Sequence, residues 1–297
     1  MNDQIWGIDL GGTKIEGVVL EKGNYKSPII RERIDTQADK GYEHIIKRVH
    51  ELVEMLKTRT QLSPQKIGFG TPGILDRSSK LMKNCNTTCL NNRALDQDLS
   101  KTLGVEAILA NDANCFALAE SLFGSGRNAN SVFGIIMGTG VGGGIVLNGR
   151  IHSGLHGIAG EWGHNSLLEN GDPCYCGKNG CVEKVLSGPS LEKYYQSVSG
   201  KSLKLKEILA GPQDQFTQLT LQRLTKNFAK AVSVVINILD PEVIVVGGGL
   251  SNIDALYNEG IAEISQHIFN NKVSTKIVRN ELGDSAGVFG AALLCNT

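Results

Sequence analysis

One short segment, "GHNSLLENGDPCYCGKNGCVE" (163–183), holds a histidine and three cysteines at the spacing His164-x9-Cys174-x-Cys176-x4-Cys181. Three thiolates and one imidazole make a closed tetrahedral donor set, the structural kind of zinc site that leaves no position for water. Gly177 and Gly180 permit the sharp reversals that bring the thiols together. The absence of a CxxC pair weighs against a redox role. Unliganded core cysteines are the plainer alternative, but so many thiols in one polar loop fit burial poorly. Zinc is the expectation. Cys85, Cys89, Cys115 and Cys295 are scattered and expected to be inert.

A second kind of chemistry is written in glycine. The chain has 36, clustered in "DLGGTK" (9–14), "FGTPG" (69–73), "GTGVGGG" (138–144) and "VVGGGLS" (245–251), each after a short apolar run. A strand entering a glycine turn brings backbone N–H groups close to phosphate oxygens. In "DLGGTK", Gly11 and Gly12 free the backbone while Thr13 offers a hydroxyl and Lys14 a positive charge, which suits the phosphates of a nucleotide. Asp9, at the end of the strand, is placed to orient a hydrated Mg²⁺. The turn matches neither a P-loop nor a dinucleotide fingerprint, and a plain hairpin with a surface lysine would look the same. The related turn Gly138, Thr139, Gly140 moves the balance toward nucleotide binding. A shift of 127 residues aligns Ile8, Gly11, Gly17, Val19 and Leu20 with Ile135, Gly138, Gly144, Val146 and Leu147, so two duplicated strand–turn–strand units are expected.

"NDAN" (111–114) follows the strand-like "VEAIL". Asn and Asp there can cap a following helix. A carboxylate at a strand end can also take a proton from an attacking hydroxyl. Both readings hold together if Asn114 caps and Asp112 serves the reaction.

The elements that must position these residues alternate. "GYEHIIKRVHELVEMLKTR" (41–59) has Ile45, Ile46, Val49, Leu52, Val53 and Leu56 at helical spacing, and 219–240 is a second long amphipathic stretch. "SAGVFGAALLC" reads as a final helix. Strand–helix alternation predicts an α/β protein with mixed sheets.

Composition excludes other classes. In 297 residues, 41% are hydrophobic and 20% charged, with net charge zero, a globular balance long enough for two lobes. No basic run suits nucleic acid, no apolar stretch of membrane length occurs, and the opening "MNDQIWGIDLGG" has no signal-peptide character. Seven cysteines, an odd count, favour reduced thiols. A cytoplasmic protein without nucleic-acid or membrane partners is expected.

Taken together, "GIDLGGTK", "LANDANC", "GTGVGGGIVLNG", "AGEWGHN", "CYCGKNGCVE" and "VVGGGLS" resemble the ROK family of sugar kinases, repressors and open reading frames, from residue 5 to about 293. The resemblance implies the two-lobe actin-like, ribonuclease-H-like fold, with ATP, Mg²⁺ and a structural Zn²⁺. It implies a homodimer. It divides the chain into a small lobe, 1–115 plus the returning helix 285–297, and a large lobe, 116–284, holding the zinc loop and adenosine site. Residue by residue, Asp112 matches the catalytic base and Asn111 a sugar ligand. Glu161, His164 and Glu183 match further sugar contacts, with Gly73 and Asn86 from the smaller lobe. Gly11, Gly12, Thr13, Lys14, Gly138, Thr139 and Gly140 match the phosphate loops, and Gly248 and Gly249 the turn beside adenosine. His164 is then both metal ligand and sugar contact, and zinc holds the recognition loop without touching phosphate. Lobe closure excludes water. A repressor of the family carries an added N-terminal winged-helix domain, for which a phosphate loop starting by residue 9 leaves no room. The segments "KNCNTTCLNN", "EWGHNSL" and "PCYCGKNGCVE" look more like the bacterial fructokinases (manno-fructokinases) of the family than its N-acetylglucosamine kinases, so phosphorylation of fructose to fructose 6-phosphate is the expected reaction. N-acetylglucosamine kinase and glucokinase are the alternatives, and a catalytically silent sugar sensor the alternative of another class.

Overall fold

The computed structural model describes residues 4–25, 27–270 and 272–296, and the chain forms two compact units. The first comprises 1–128, 144–159 and 282–297; the second comprises 129–143 and 160–281.

The first unit opens with the hairpin β1 (Gln4–Leu10) and β2 (Lys14–Glu21), followed by β3 (Ile30–Asp35), α1 (Tyr42–Thr60) and β4 (Lys66–Thr71). A two-strand ribbon, β5 (Ile74–Leu75) and β6 (Met82–Lys83), leads to α2 (Leu95–Leu103), β7 (Glu106–Asn111) and α3 (Asp112–Leu122). The main sheet runs β3-β2-β1-β4-β7, antiparallel across β3, β2 and β1 and parallel from β1 through β4 to β7, so it is mixed as expected. One face carries the core. The apolar stripe of α1, from Ile45 to Leu56, is buried with Ile8, Ile15, Ile67 and Phe69 of the sheet. The other face takes the last helix at unusually short range: a Cβ on Gly68 would lie 1.8 Å from the Ala291 carbonyl oxygen.

The second unit holds β8 (Ser131–Met137) and the start of β9 (Val141–Leu147), a strand that passes into the first unit at Gly144 and pairs there with β10 (Arg150–Ile151). After a long loop come α4 (Glu183–Leu186), α5 (Gly188–Ser199), α6 (Leu205–Ala210), α7 (Gln215–Leu239), β11 (Val243–Gly247), α8 (Glu259–Ile264) and β12 (Lys276–Arg279). β11 runs parallel to both β8 and β12 and is buried along its whole length, which its unbroken "VIVVG" run requires of a central strand. Asp214 caps α7 by accepting the N–H groups of Phe216 and Thr217, so that helix begins four residues before its sequence periodicity shows. The chain then returns to the first unit as α9 (Ala286–Leu293).

The duplicated hairpins are present, β1–β2 in one sheet and β8–β9 in the other. The units are divided differently from the expectation. A boundary after residue 115 would cut α3, one continuous helix packed against α9, and 144–159 belongs with the first unit.

Candidate active site and metal centre

The candidate residues fall in two groups, one per unit. In the first unit, the turn between β1 and β2 closes with the Gly11 N–H donating to the Lys14 carbonyl at 3.0 Å, while the Thr36 hydroxyl donates to the Gly11 carbonyl at 2.7 Å. Gly12, Thr13 and Lys14 are exposed. This is a turn held from beneath and open above. Gly73 is buried against the Cys85 thiol, and Asn86 is exposed nearby, its N–H donating to the Pro72 carbonyl.

Asp112 is the first residue of α3, directly after β7. Its Oδ1 accepts the Ala113 N–H at 2.7 Å, and Asn111 Oδ1 accepts the same N–H at 2.9 Å. The cap is therefore Asn111, which corrects the expectation for Asn114. The helix starts too early for Asn114 to cap it; that residue is buried inside the helix and its Oδ1 has no hydrogen-bond partner. Water reaches the Asp112 side chain, yet the protein packed around it pushes its pKa up, against the Ala113 N–H and the Asn111 side chain.

Asp9 belongs to the same electrostatic cluster. Its carboxyl is pushed up to about 7, first by burial, then by the Asp112 and Glu16 carboxylates, with Arg33 pulling it back. Glu16 faces it across the hairpin, buried and hydrogen-bonded to Arg31 and, at 2.8 Å, to Arg33 Nε. The Cys115 thiol, pushed well up by burial and by both aspartates, completes the cluster.

In the second unit, the turn between β8 and β9 closes with the Gly138 N–H donating to the Gly140 carbonyl at 2.9 Å, with Thr139 exposed. Gly248 has φ of +78°, and a Cβ there would meet the Met137 carbonyl oxygen at 2.4 Å, so only glycine fits. Gly249 beside it faces open space. A cavity of 390 Å³ lies against Thr139, lined also by Glu183, Lys184, Ser187 and Pro189.

The loop between β10 and α4 brings His164, Cys174, Cys176 and Cys181 together, their donor atoms all within 4.8 Å of one another. His164 Nδ1 is 3.6 Å from Cys174 Sγ, and Cys176 Sγ is 3.5 Å from Cys181 Sγ. Two sulfurs about 2.3 Å from one tetrahedral ion stand about 3.8 Å apart, so the donors fit zinc. Gly180 makes the reversal at φ +60°, with the Leu168 carbonyl too close for any side chain. Burial, together with Lys178 and Lys184, lowers the His164 pKa against Glu183, favouring the neutral imidazole that metal ligation needs. Nothing in the spacing singles out Tyr175, yet its hydroxyl meets His164 Nε2 at 2.9 Å and orients the ring. Its only sequence signal is its place between two ligands. Glu161 precedes the short 3₁₀ turn that ends at His164.

Two mixed sheets, each opened by a glycine-turn hairpin, define an α/β protein of the sugar-kinase type. The crystal structure of a ROK hexokinase from Thermus thermophilus superposes with a TM-score of 0.87 at 29% identity, covering 98% of this chain and 97% of that one. A ROK family glucokinase from Streptomyces griseus, solved with glucose and AMPPNP, gives a TM-score of 0.82 at 23% identity over 98% of each chain, a likeness of fold alone. The chain belongs to the ROK family, whose model matches residues 5–297. Among its relatives, a protein of Histophilus somni (strain 129Pt) is 35% identical over 97% of this chain and 98% of its own length, and it is named N-acetyl-D-glucosamine kinase. Relatives from Pasteurella multocida and Haemophilus influenzae, 35% and 34% identical, carry the same name. The expectation of a fructokinase finds no support in these names; it rested on short loop segments, whereas the likeness to these relatives runs the length of the chain. Among the described residues no helix is long and apolar enough to cross a membrane.

Proposed function

We propose that the protein is an ATP-dependent N-acetylglucosamine kinase. The observation that carries this reading is the full-length likeness, at 33–35% identity, to relatives of that name. In this reading Gly11, Gly12, Thr13 and Lys14 of one turn and Gly138, Thr139 and Gly140 of the other hold the triphosphate by N–H groups, hydroxyls and the Lys14 ammonium. Gly248 and Gly249 flank the adenosine. Asp9 would orient the water shell of the Mg²⁺ that accompanies ATP, an ion that would supply charge neutralisation at the phosphates. Asn111, Glu161 and Glu183, with Gly73 and Asn86, contact the sugar, and a sugar hydroxyl takes the place of the Tyr175 hydroxyl at His164 Nε2.

Asp112 accepts the proton of the attacking hydroxyl as that oxygen bonds to the γ-phosphorus. The bond from phosphorus to the β–γ bridging oxygen breaks, and ADP leaves. A carboxyl pushed above its ordinary value by its surroundings is a better base than a fully hydrated one, because its pKa moves toward the working pH. His164 Nδ1 and the three Sγ atoms would hold the zinc, which would supply a structural cross-link for the loop and no part of phosphoryl transfer.

The test is ADP release from Mg-ATP with N-acetylglucosamine, N-acetylmannosamine, glucose, mannose and fructose. N-acetylglucosamine is expected to give the highest kcat/KM. Preference for fructose overturns the substrate and keeps the chemistry. No turnover with any sugar, from zinc-replete protein, overturns the kinase reading in favour of a silent sensor.

A further inference from the structure

The loop carrying the His/Cys donors grips the second glycine turn from both of its ends. Before the donors, Trp162 Nε1 donates to the Gly142 carbonyl at 3.0 Å, and Gly163 packs so tightly that a Cβ there would lie 2.0 Å from the Val141 carbonyl oxygen. After them, Glu183 Oε2 accepts the Val141 N–H at 3.1 Å, and the Gly188 N–H donates to the Gly138 carbonyl at 2.8 Å. The first and last backbone groups of the turn are thus pinned by residues 183 and 188, just beyond the ligand Cys181. Glu183 lies so close that a Cβ on Gly140 would be 2.8 Å from its Oε2. A turn built of Gly138, Thr139 and Gly140 has almost no side-chain packing to define it. Its N–H directions therefore depend on these outside hydrogen bonds, and of the two that reach Gly138 and Val141 the Glu183 bond is the one made by a side chain.

We infer that Glu183 is a positioning residue for the nucleotide: by holding the Val141 N–H it sets the shape of the Gly138–Gly140 turn, and so ties nucleotide affinity to the His/Cys loop. This rests on the reading of that turn as a phosphate-binding element. It gives the loop a second duty beside sugar recognition, and it gives Glu183 one that does not depend on sugar being present. A neutral acceptor at the same place would do the same work, since what the turn requires is an oxygen facing the Val141 N–H.

The experiment is calorimetric titration of zinc-replete protein with Mg²⁺ and a non-hydrolysable ATP analogue, with no sugar added. Glu183→Ala is expected to weaken binding by about tenfold, the scale of one ordinary hydrogen bond. Glu183→Gln keeps an acceptor oxygen and removes a negative charge near the phosphates, so it is expected to bind at least as well as the parent. A variant that merely loosened the fold would not be rescued by glutamine. Where the alanine variant does not fold, Glu183→Asp, one methylene too short to reach Val141, takes its place with the same expectation. Parental affinity in the alanine or aspartate variant overturns the inference, as does a glutamine variant as weak as alanine. Failure of the parent protein itself to bind the analogue overturns the nucleotide reading, and this inference with it.

Discussion

Asp112 and Asp9 are two carboxylates in one cluster, to which the proposed reaction gives different duties. Asp112→Asn keeps an oxygen for the Ala113 N–H and removes the base, so kcat is expected to fall by about 10²- to 10⁴-fold with the sugar KM within a few-fold of the parent. Near-parental turnover in steady-state assays would remove Asp112 from its role. Asp9 carries its own signature in stability. Its carboxyl titrates near 7 in the folded protein against 3.8 ordinarily, so between these values the folded state holds a proton that the unfolded state has released. Stability from this group is full below 3.8 and lost as pH rises through 7. Asp9→Asn is therefore expected to be more stable than the parent at pH 8 in urea titrations without nucleotide. The advantage should vanish near pH 4; an advantage unchanged with pH would refute the shift.

At the scale of elements, two close approaches carry much of the geometry. α9 lies against the first sheet with its backbone almost touching β4 at Gly68, and it touches α3 where a Cβ on Gly290 would meet the Cys115 carbonyl oxygen at 1.8 Å. Gly290→Ala is expected to destabilise by about 2–3 kcal/mol in chemical denaturation, because neither helix can retreat without unpacking the sheet or moving the start of α3. Since Asp112 sits at that start, the same variant should lower kcat more than it raises the KM for ATP. In the second unit Gly248→Ala combines a positive φ with a clash on Met137 and should cost about 2 kcal/mol or more. Stability left unchanged in either variant would show that the close approach relaxes at no cost.

For the whole molecule, the candidate residues divide by unit: Asp112, Asn111 and the Lys14 turn belong to the first, and the donor loop and the Gly138 turn to the second. Elemental analysis is expected to find one zinc per chain, and chelation to lower the melting temperature by several degrees, since a structural zinc contributes its binding energy to folding. Chelated protein proven free of metal yet melting at the parental temperature would overturn the metal assignment.

Local chemistry was legible in the sequence because it depends on short spacings. The His164–Cys181 donor set, the two glycine turns, Asp112 at a strand–helix junction and the stripes of α1 and α7 each involve residues near one another in the chain, where periodicity and residue type suffice. The identity of the cap was not, since Asn111 and Asn114 differ only in where the helix begins, and α3 begins directly where β7 ends. Nor were the placement of 144–159 with the first unit, Tyr175 on His164, or the Glu183 bond to Val141, whose partners lie 11 to 42 residues apart. Sequence alone determined the family and foreshadowed the clustering of the four His/Cys donors, because these are set by residue type and short spacing. Only the tertiary structure decided which backbone groups those side chains hold, because such pairings arise when remote segments are packed and each buried polar group must find its partner.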